Sequence, residues 1–166
     1  MNPGHVYYAI AEHRGILKLT GELRYPLGQS LNQAVNMLFA SPELQGTVVD
    51  LQETDFIDST CLGLLARVAT QQPATSRDRP VIISTHADIN RLLETMGFDH
   101  AFNLVLEPQT AATDSAKPVE LAGATARVDR QVILDAHRIL CEINEKNREL
   151  FQDVIEQLET EEGNAL

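Results

Sequence analysis

Val48-Val49-Asp50-Leu51, followed by Phe56-Ile57-Asp58-Ser59-Thr60-Cys61-Leu62-Gly63-Leu64-Leu65, is the stretch whose reading decides the fold of this chain. Thr47 to Leu51 is a compact apolar run of the kind that forms a buried strand. Thr54-Asp55-Phe56-Ile57-Asp58 then reads as a short acidic loop, and a helix is predicted from about Ser59 to Gln71. Asp, Ser and Thr favour helix N-termini because their oxygens accept hydrogen bonds from backbone N–H groups that have no partner inside the helix. Read alone, Ser59 is a cap. The same geometry lets its hydroxyl project outward where the helix dipole and free N–H groups can accommodate a phosphate. Ile57 and Leu62 beside it would supply an apolar contact surface.

Outward from this segment, strand and helix signals alternate. Val6 to Ala11 and Ile16 to Leu19 read as strands joined by a turn at Glu12-His13-Arg14-Gly15, and Thr20-Gly21-Glu22-Leu23 ends the second. Leu27 to Ala40 has apolar residues at helical spacing and stops before Pro42. A strand at Pro80 to Ser84, a helix from Ala87 to Met96 closed by Gly97, and a strand from Phe102 to Leu106 complete the series. The order β-β-α-β-α-β-α-β predicts an α/β fold, with helices packed on a mixed sheet.

The remainder differs in kind. Residues 1–106 hold 11 acids and 7 bases, net −4, whereas residues 107–166 hold 13 acids and 6 bases, net −7. Residues 107–120, with Pro108, Thr110, Ala111, Ala112, Thr113, Ser115 and Pro118, show no hydrophobic period and read as a linker. Beyond them, Val132, Ala136, Ile139, Ile143, Leu150, Val154 and Leu158 recur at helical steps. One long amphipathic helix is predicted from about Val128 to Leu158, although Lys146 and Asn147 interrupt its stripe. The expected organisation is 1–106 as a domain, 107–120 as a linker and 121–166 as a helical extension. The helix is expected to be buried, either on its own domain or in a homodimer, because an open stripe invites aggregation.

Composition narrows the function. The net charge of −11 over 166 residues argues against a nucleic-acid binder, which needs clustered Lys and Arg to meet phosphates. No apolar run reaches the length of a membrane span, and Met-Asn-Pro-Gly-His is not the start of a signal peptide. Two cysteines, Cys61 and Cys141, make neither a disulfide framework nor a zinc cage, so a cytoplasmic protein with reduced thiols is expected.

Asp58-Ser59-Thr60-Cys61-Leu62-Gly63 resembles the Asp-Ser-(Ser/Thr)-Gly-Leu-Gly signature of the STAS domain of anti-sigma factor antagonists, matching five of six positions. The resemblance covers about residues 4–106 and includes Leu19-Thr20-Gly21-Glu22-Leu23, where the family has its second strand and a Gly-x-Leu turn. It implies a STAS-like sheet, a phosphorylated serine at Ser59, and a partner surface formed by Asp58, Ser59, Thr60 and Leu62. It implies as partners an anti-sigma factor, often itself a serine kinase, and a PP2C-type phosphatase that restores the unphosphorylated form. Cys61 stands where the family has Gly, and its side chain would narrow which partner can approach. The C-terminal helix lies outside the resemblance.

Other readings of these residues remain. Ser59 as a hydrolase nucleophile has no Gly-x-Ser-x-Gly elbow, and nothing in the sequence ties His5, His13, His86, His100 or His137 to it. Asp50, Asp55 and Asp58 as a receiver-type metal cluster would need a late Lys, and none lies between Lys18 and Lys117. Cys61 as a low-pKa thiol is favoured by a helix N-terminus, but a small packed residue fits the pattern as well. No enzymatic activity, cofactor or metal is expected. A constitutive STAS scaffold or oligomerisation module, with Ser59 only a cap, is the rival to the phosphorylation switch.

Overall fold

The computed structural model of the chain describes residues 2–72, 78–109, 119–120 and 129–164. Strands His5–Ala11 (β1) and Arg14–Leu23 (β2) form a hairpin through Glu12 and His13, both at positive φ, 52° and 67°. That is the backbone a two-residue hairpin requires, because a positive φ at both positions matches the right-handed twist of the strands. Helix α1 (Gly28–Phe39) leads to β3 (Gly46–Ile57), which passes through Asp58 into α2 (Ser59–Gln71). Then come β4 (Val81–Ile83), α3 (Ala87–Thr95), β5 (Asn103–Val105), β6 (Val119–Glu120), α4 (Arg130–Ile143) and α5 (Glu145–Asn164). The sheet order is β5-β4-β3-β2-β1-β6; β2 to β5 run parallel to their neighbours, and β1 is antiparallel to β2 and to β6. This is the expected α/β sandwich with a mixed sheet.

Three local expectations are corrected. The segment Thr54 to Asp58 is not a loop, because β3 continues to Ile57 along β2. Its pattern lacks strict alternation because the β2–β3 register shifts between Lys18 and Thr20 and again between Gly21 and Glu22. The supposed Gly-x-Leu turn is the second of these irregularities, lying inside β2. Gly21 sits there at φ 75°, and a Cβ on it would overlap the carbonyl of Pro3, whose segment crosses at this point. The Glu22 N–H donates to Asn2 O at 2.9 Å, so the chain start is pinned to the same place.

The third correction concerns the C-terminal helix expected across 128–158, which is two helices. Asn144 is extended (φ −161°, ψ 168°), and its side-chain oxygen accepts from the Asn147 N–H at 2.8 Å, capping α5. Asn147, 1% exposed, donates from Nδ2 to Leu140 O and to Met96 O, both at 2.9 Å, tying the elbow to the end of α3. The two polar residues that break the apolar stripe are therefore at the bend. Helix α5 returns along α4, with Arg138 bonded to Glu159 at 2.8 Å and Phe151 edge-on to His137 at 5.5 Å. Of the expected linker, residues 119–120 form β6 beside β1, and residues 110–118 lie outside the described residues.

The core joins Leu17, Leu19 and Leu23 of β2, Val49 and Leu51 of β3, and Leu31, Val35 and Leu38 of α1. It continues through Leu62 and Leu65 of α2 into Ala136 and Leu140 of α4 and Phe151 of α5. The C-terminal helices thus fold back on their own chain, with Leu150 and Val154 of α5 left exposed.

Candidate functional site

The end of β3 delivers the site. Thr54, buried, donates its hydroxyl to Leu19 O at 2.8 Å, and the Asp58 N–H donates to Leu23 O at 2.9 Å, so the irregular end of β3 is fastened to β2 up to the first residue of the site. Asp58, in extended conformation, caps α2: its Oδ1 accepts from the Cys61 N–H at 2.9 Å. Ser59 is the first helical residue and is half-buried.

The structure separates the sequence-identified residues. Asp58 and Ser59 reach the surface, whereas Thr60 (5% exposed) and Leu62 (1%) are buried. Leu62 is therefore a core residue and offers no contact surface, and Ile57 is equally inward. The cover over α2 explains this. Leu62 lies on the same side of the helix as Ser59, but α2 is covered nearly all round, Thr60 to Ala66 all being buried, so Leu62 packs inside. The apolar surface near the cap comes instead from Phe56 (40% exposed) and Tyr25 (57%), with the Arg24 guanidinium 4.4 Å from the Phe56 ring centre. The irregular strand end turns Phe56 outward, and no periodicity in the sequence marks it.

Cys61 is fully buried, its Sγ 3.4 Å from Arg24 O. Burial, and secondarily the nearby Asp58 carboxylate, push its thiol well above the ordinary range. It is a packed residue, not a low-pKa thiol, and it points away from any approaching partner. Asp50, Asp55 and Asp58 go separate ways. Asp50 is buried and accepts from the Gln52 backbone and side chain, Asp55 accepts from Asn2 at 2.7 Å, and Asp58 caps α2. Among the described residues no group of three or more His, Cys, Asp or Glu is placed to hold a metal ion.

One residue of the site carries no signal in the sequence. His137 of α4, 4% exposed, lies with Nε2 at 2.9 Å from Ser59 Oγ, across a sequence separation of 78 residues. Its Nδ1 is 2.7 Å from Ile133 O, which can only accept, so Nδ1 carries the hydrogen. With the single hydrogen of an uncharged ring on Nδ1, Nε2 is the acceptor and the Ser59 hydroxyl the donor. A hydroxyl and an imidazole in contact also form the first half of a nucleophile–base pair. Here the imidazole is oriented by a helical carbonyl, and neither residue lines the open groove along α2 and α4. Further along the seam, Arg67 of α2 is held by Asn32, Asn36 and Gln71; burial lowers its pKa, and Asp135 of α4 acts in the opposite direction.

No described helix is long and apolar enough to cross a membrane. A family model described as Mlab, STAS domain, matches residues 6–108. No curated protein sequence matches. Among solved structures, an anti-sigma factor antagonist from Mycobacterium paratuberculosis is 18% identical, with a TM-score of 0.56 over 68% of this chain and 90% of that one. The anti-sigma factor antagonist SpoIIAA in its unphosphorylated form is 13% identical, with a TM-score of 0.52 over 67% of this chain and 96% of that one. A Thermotoga maritima protein is 19% identical, with a TM-score of 0.52 over 69% of this chain and 92% of that one. These likenesses are of fold. Helices α4 and α5 lie beyond the family match.

Proposed function

The chain belongs to the STAS domain family, and on that premise we propose that it is a cytoplasmic, non-enzymatic anti-sigma factor antagonist switched by phosphorylation of Ser59. Unphosphorylated, it binds an anti-sigma factor, itself a candidate switch kinase, and so frees the sigma factor for transcription. A kinase ends the complex by modifying Ser59, and a PP2C-type phosphatase restores it. Residues 1–106 are the partner-switching domain, 107–120 the linker and 121–166 an extension.

The observation that carries this reading is Ser59 at the first position of α2, half-buried behind the Asp58 cap and close to exposed Phe56 and Tyr25. A phosphate adds about −1.5 to −2 charge there. The helix N-terminus tolerates that charge, whereas a partner docked on the apolar patch beside the Asp58 carboxylate meets repulsion and a desolvation cost. Asp58 and Ser59 are the partner-contacting members of the motif, while buried Thr60 and Leu62 hold α2 in place.

Mass spectrometry of the protein from its native cell, with and without phosphatase treatment, tests the modification and should find phosphate on Ser59. Affinity for the cognate anti-sigma factor should be kept in Ser59→Ala and fall in Ser59→Asp and in the phosphorylated form. Equal affinities for all of them would sink the switch. The bond from Ser59 to His137 favours a second reading, a constitutive scaffold in which the serine only joins helices. An unmodified Ser59 in the cell would support it.

A further inference from the structure

Helix α4 meets α2 through two close contacts at the start of α2. One is the bond from the Ser59 hydroxyl to His137 Nε2 at 2.9 Å. The other is at Gly63, one helical turn on, where a Cβ would overlap the Ala136 carbonyl, and the nearest atoms to it all belong to Ala136. The absent side chain is the notch into which α4 fits. We propose that the α4–α5 hairpin is a latch that stays closed on α2 only while Ser59 is unphosphorylated, so that the bulk and charge of a phosphate on Ser59 release the hairpin. This rests on the reading of Ser59 as the switch residue and adds what the switch moves.

A gap of 2.9 Å, filled by one hydrogen bond, has no room for phosphorus and three further oxygens. The phosphate has only acceptor oxygens, and an imidazole whose one hydrogen is on Nδ1, donated to Ile133 O, has no donor to offer it. Residues 130–164 hold 9 acids and 4 bases, so the added negative charge meets a negatively charged hairpin. Phe56 and Tyr25 are exposed with the latch closed, so the closed form presents the patch that the proposed function assigns to the partner. Phosphorylation then alters that surface twice, by its charge and by removing the hairpin from its border. By linkage, closing the latch makes the phosphorylated form of Ser59 less stable relative to the free hydroxyl by the same factor by which phosphorylation opens it.

The test uses the full chain in unmodified form, with phosphoserine encoded at position 59, and as Gly63→Ala. Ala is the better helix former, so this change favours α2 itself and acts against α4 alone. Amide hydrogen exchange over residues 130–143 should quicken about tenfold or more in the phosphorylated chain, where bulk and charge are added to the loss of the hydrogen bond. Exchange in β2 and β3 should stay as it was. Gly63→Ala should quicken the same helix without any phosphate and should weaken anti-sigma factor binding although Ser59 is intact. If Gly63→Ala disturbs the whole fold, His137→Ala replaces it with the same expectation, because it removes the ring packed on Phe151 as well as the bond to Ser59, whereas Ser59→Ala leaves that packing in place. Unchanged or slower exchange in the phosphorylated chain would overturn the proposal, since the phosphate would then be held under a closed latch. Because exchange is read without a partner, equal partner affinity of both Ser59 states would instead count against the proposed function.

Discussion

Between β2, β3 and the inner face of α2, the contacts are made by large aliphatic side chains such as Leu17, Leu19, Leu51 and Leu65, none with measurable exposure. Across the seam between α2 and α4, the contacts that fix position are small or polar, Gly63 against Ala136 and Ser59 to His137, and the elbow beyond it is held by Asn147 bonded to Leu140 O and to Met96 O at the end of α3. The first kind of surface is non-directional and gains about 25 cal/mol per Å² of apolar area whichever way it slides. The second is directional, and a phosphate on Ser59 or a single carbon on Gly63 alters whether it closes. A chain that has to hold one part permanently and let another part go needs both kinds.

The comparison breaks first if the two surfaces respond alike to truncation. Leu51→Ala should cost about 2–5 kcal/mol and lower the unfolding midpoint of the whole chain, read by denaturant titration. Asn147→Ala leaves Met96 O and Leu140 O unpaired in a buried place, at about 1–3 kcal/mol. That loss should appear as faster exchange in residues 130–164 before the sheet responds; a uniform increase would mean that sheet and hairpin form one cooperative unit. Asp58→Ala removes only the cap of α2 and should cost about 0.5–2 kcal/mol by the same titration. A smaller loss from Leu51→Ala than from Asp58→Ala would reverse the ranking of the two surfaces.

The order of strands and helices was legible because apolar spacing reports which face of each element is buried, and the cap at Asp58 because its chemistry is local. What the sequence could not display is what depends on distant neighbours. The far end of β3 hid behind Glu53 and Asp55, exposed residues of an irregular ladder that reads as a loop when its partner strand is unknown. Leu62 reads as outward because it shares a helix side with Ser59, and the cover that buries α2 from Thr60 to Ala66 comes from distant parts of the chain. The Ser59–His137 pair joins positions 78 apart through an extension that the domain signature does not include, so no spacing rule points to it. The elbow at Asn144 left a trace, the polar interruption at Lys146 and Asn147, without saying whether it marked a bend or an exposed face.

Strand β6 has a kinetic meaning. It pairs with β1 at Tyr7 and Tyr8, and only eight residues separate Glu120 from Asp129 at the cap of α4. A tether that short holds a detached hairpin at an effective concentration in the millimolar range relative to its seat on α2. Reattachment is therefore unimolecular: independent of how much protein the cell contains, it needs only the removal of the phosphate. The release lasts as long as the modification does, and resetting waits on the phosphatase, not on any encounter between molecules.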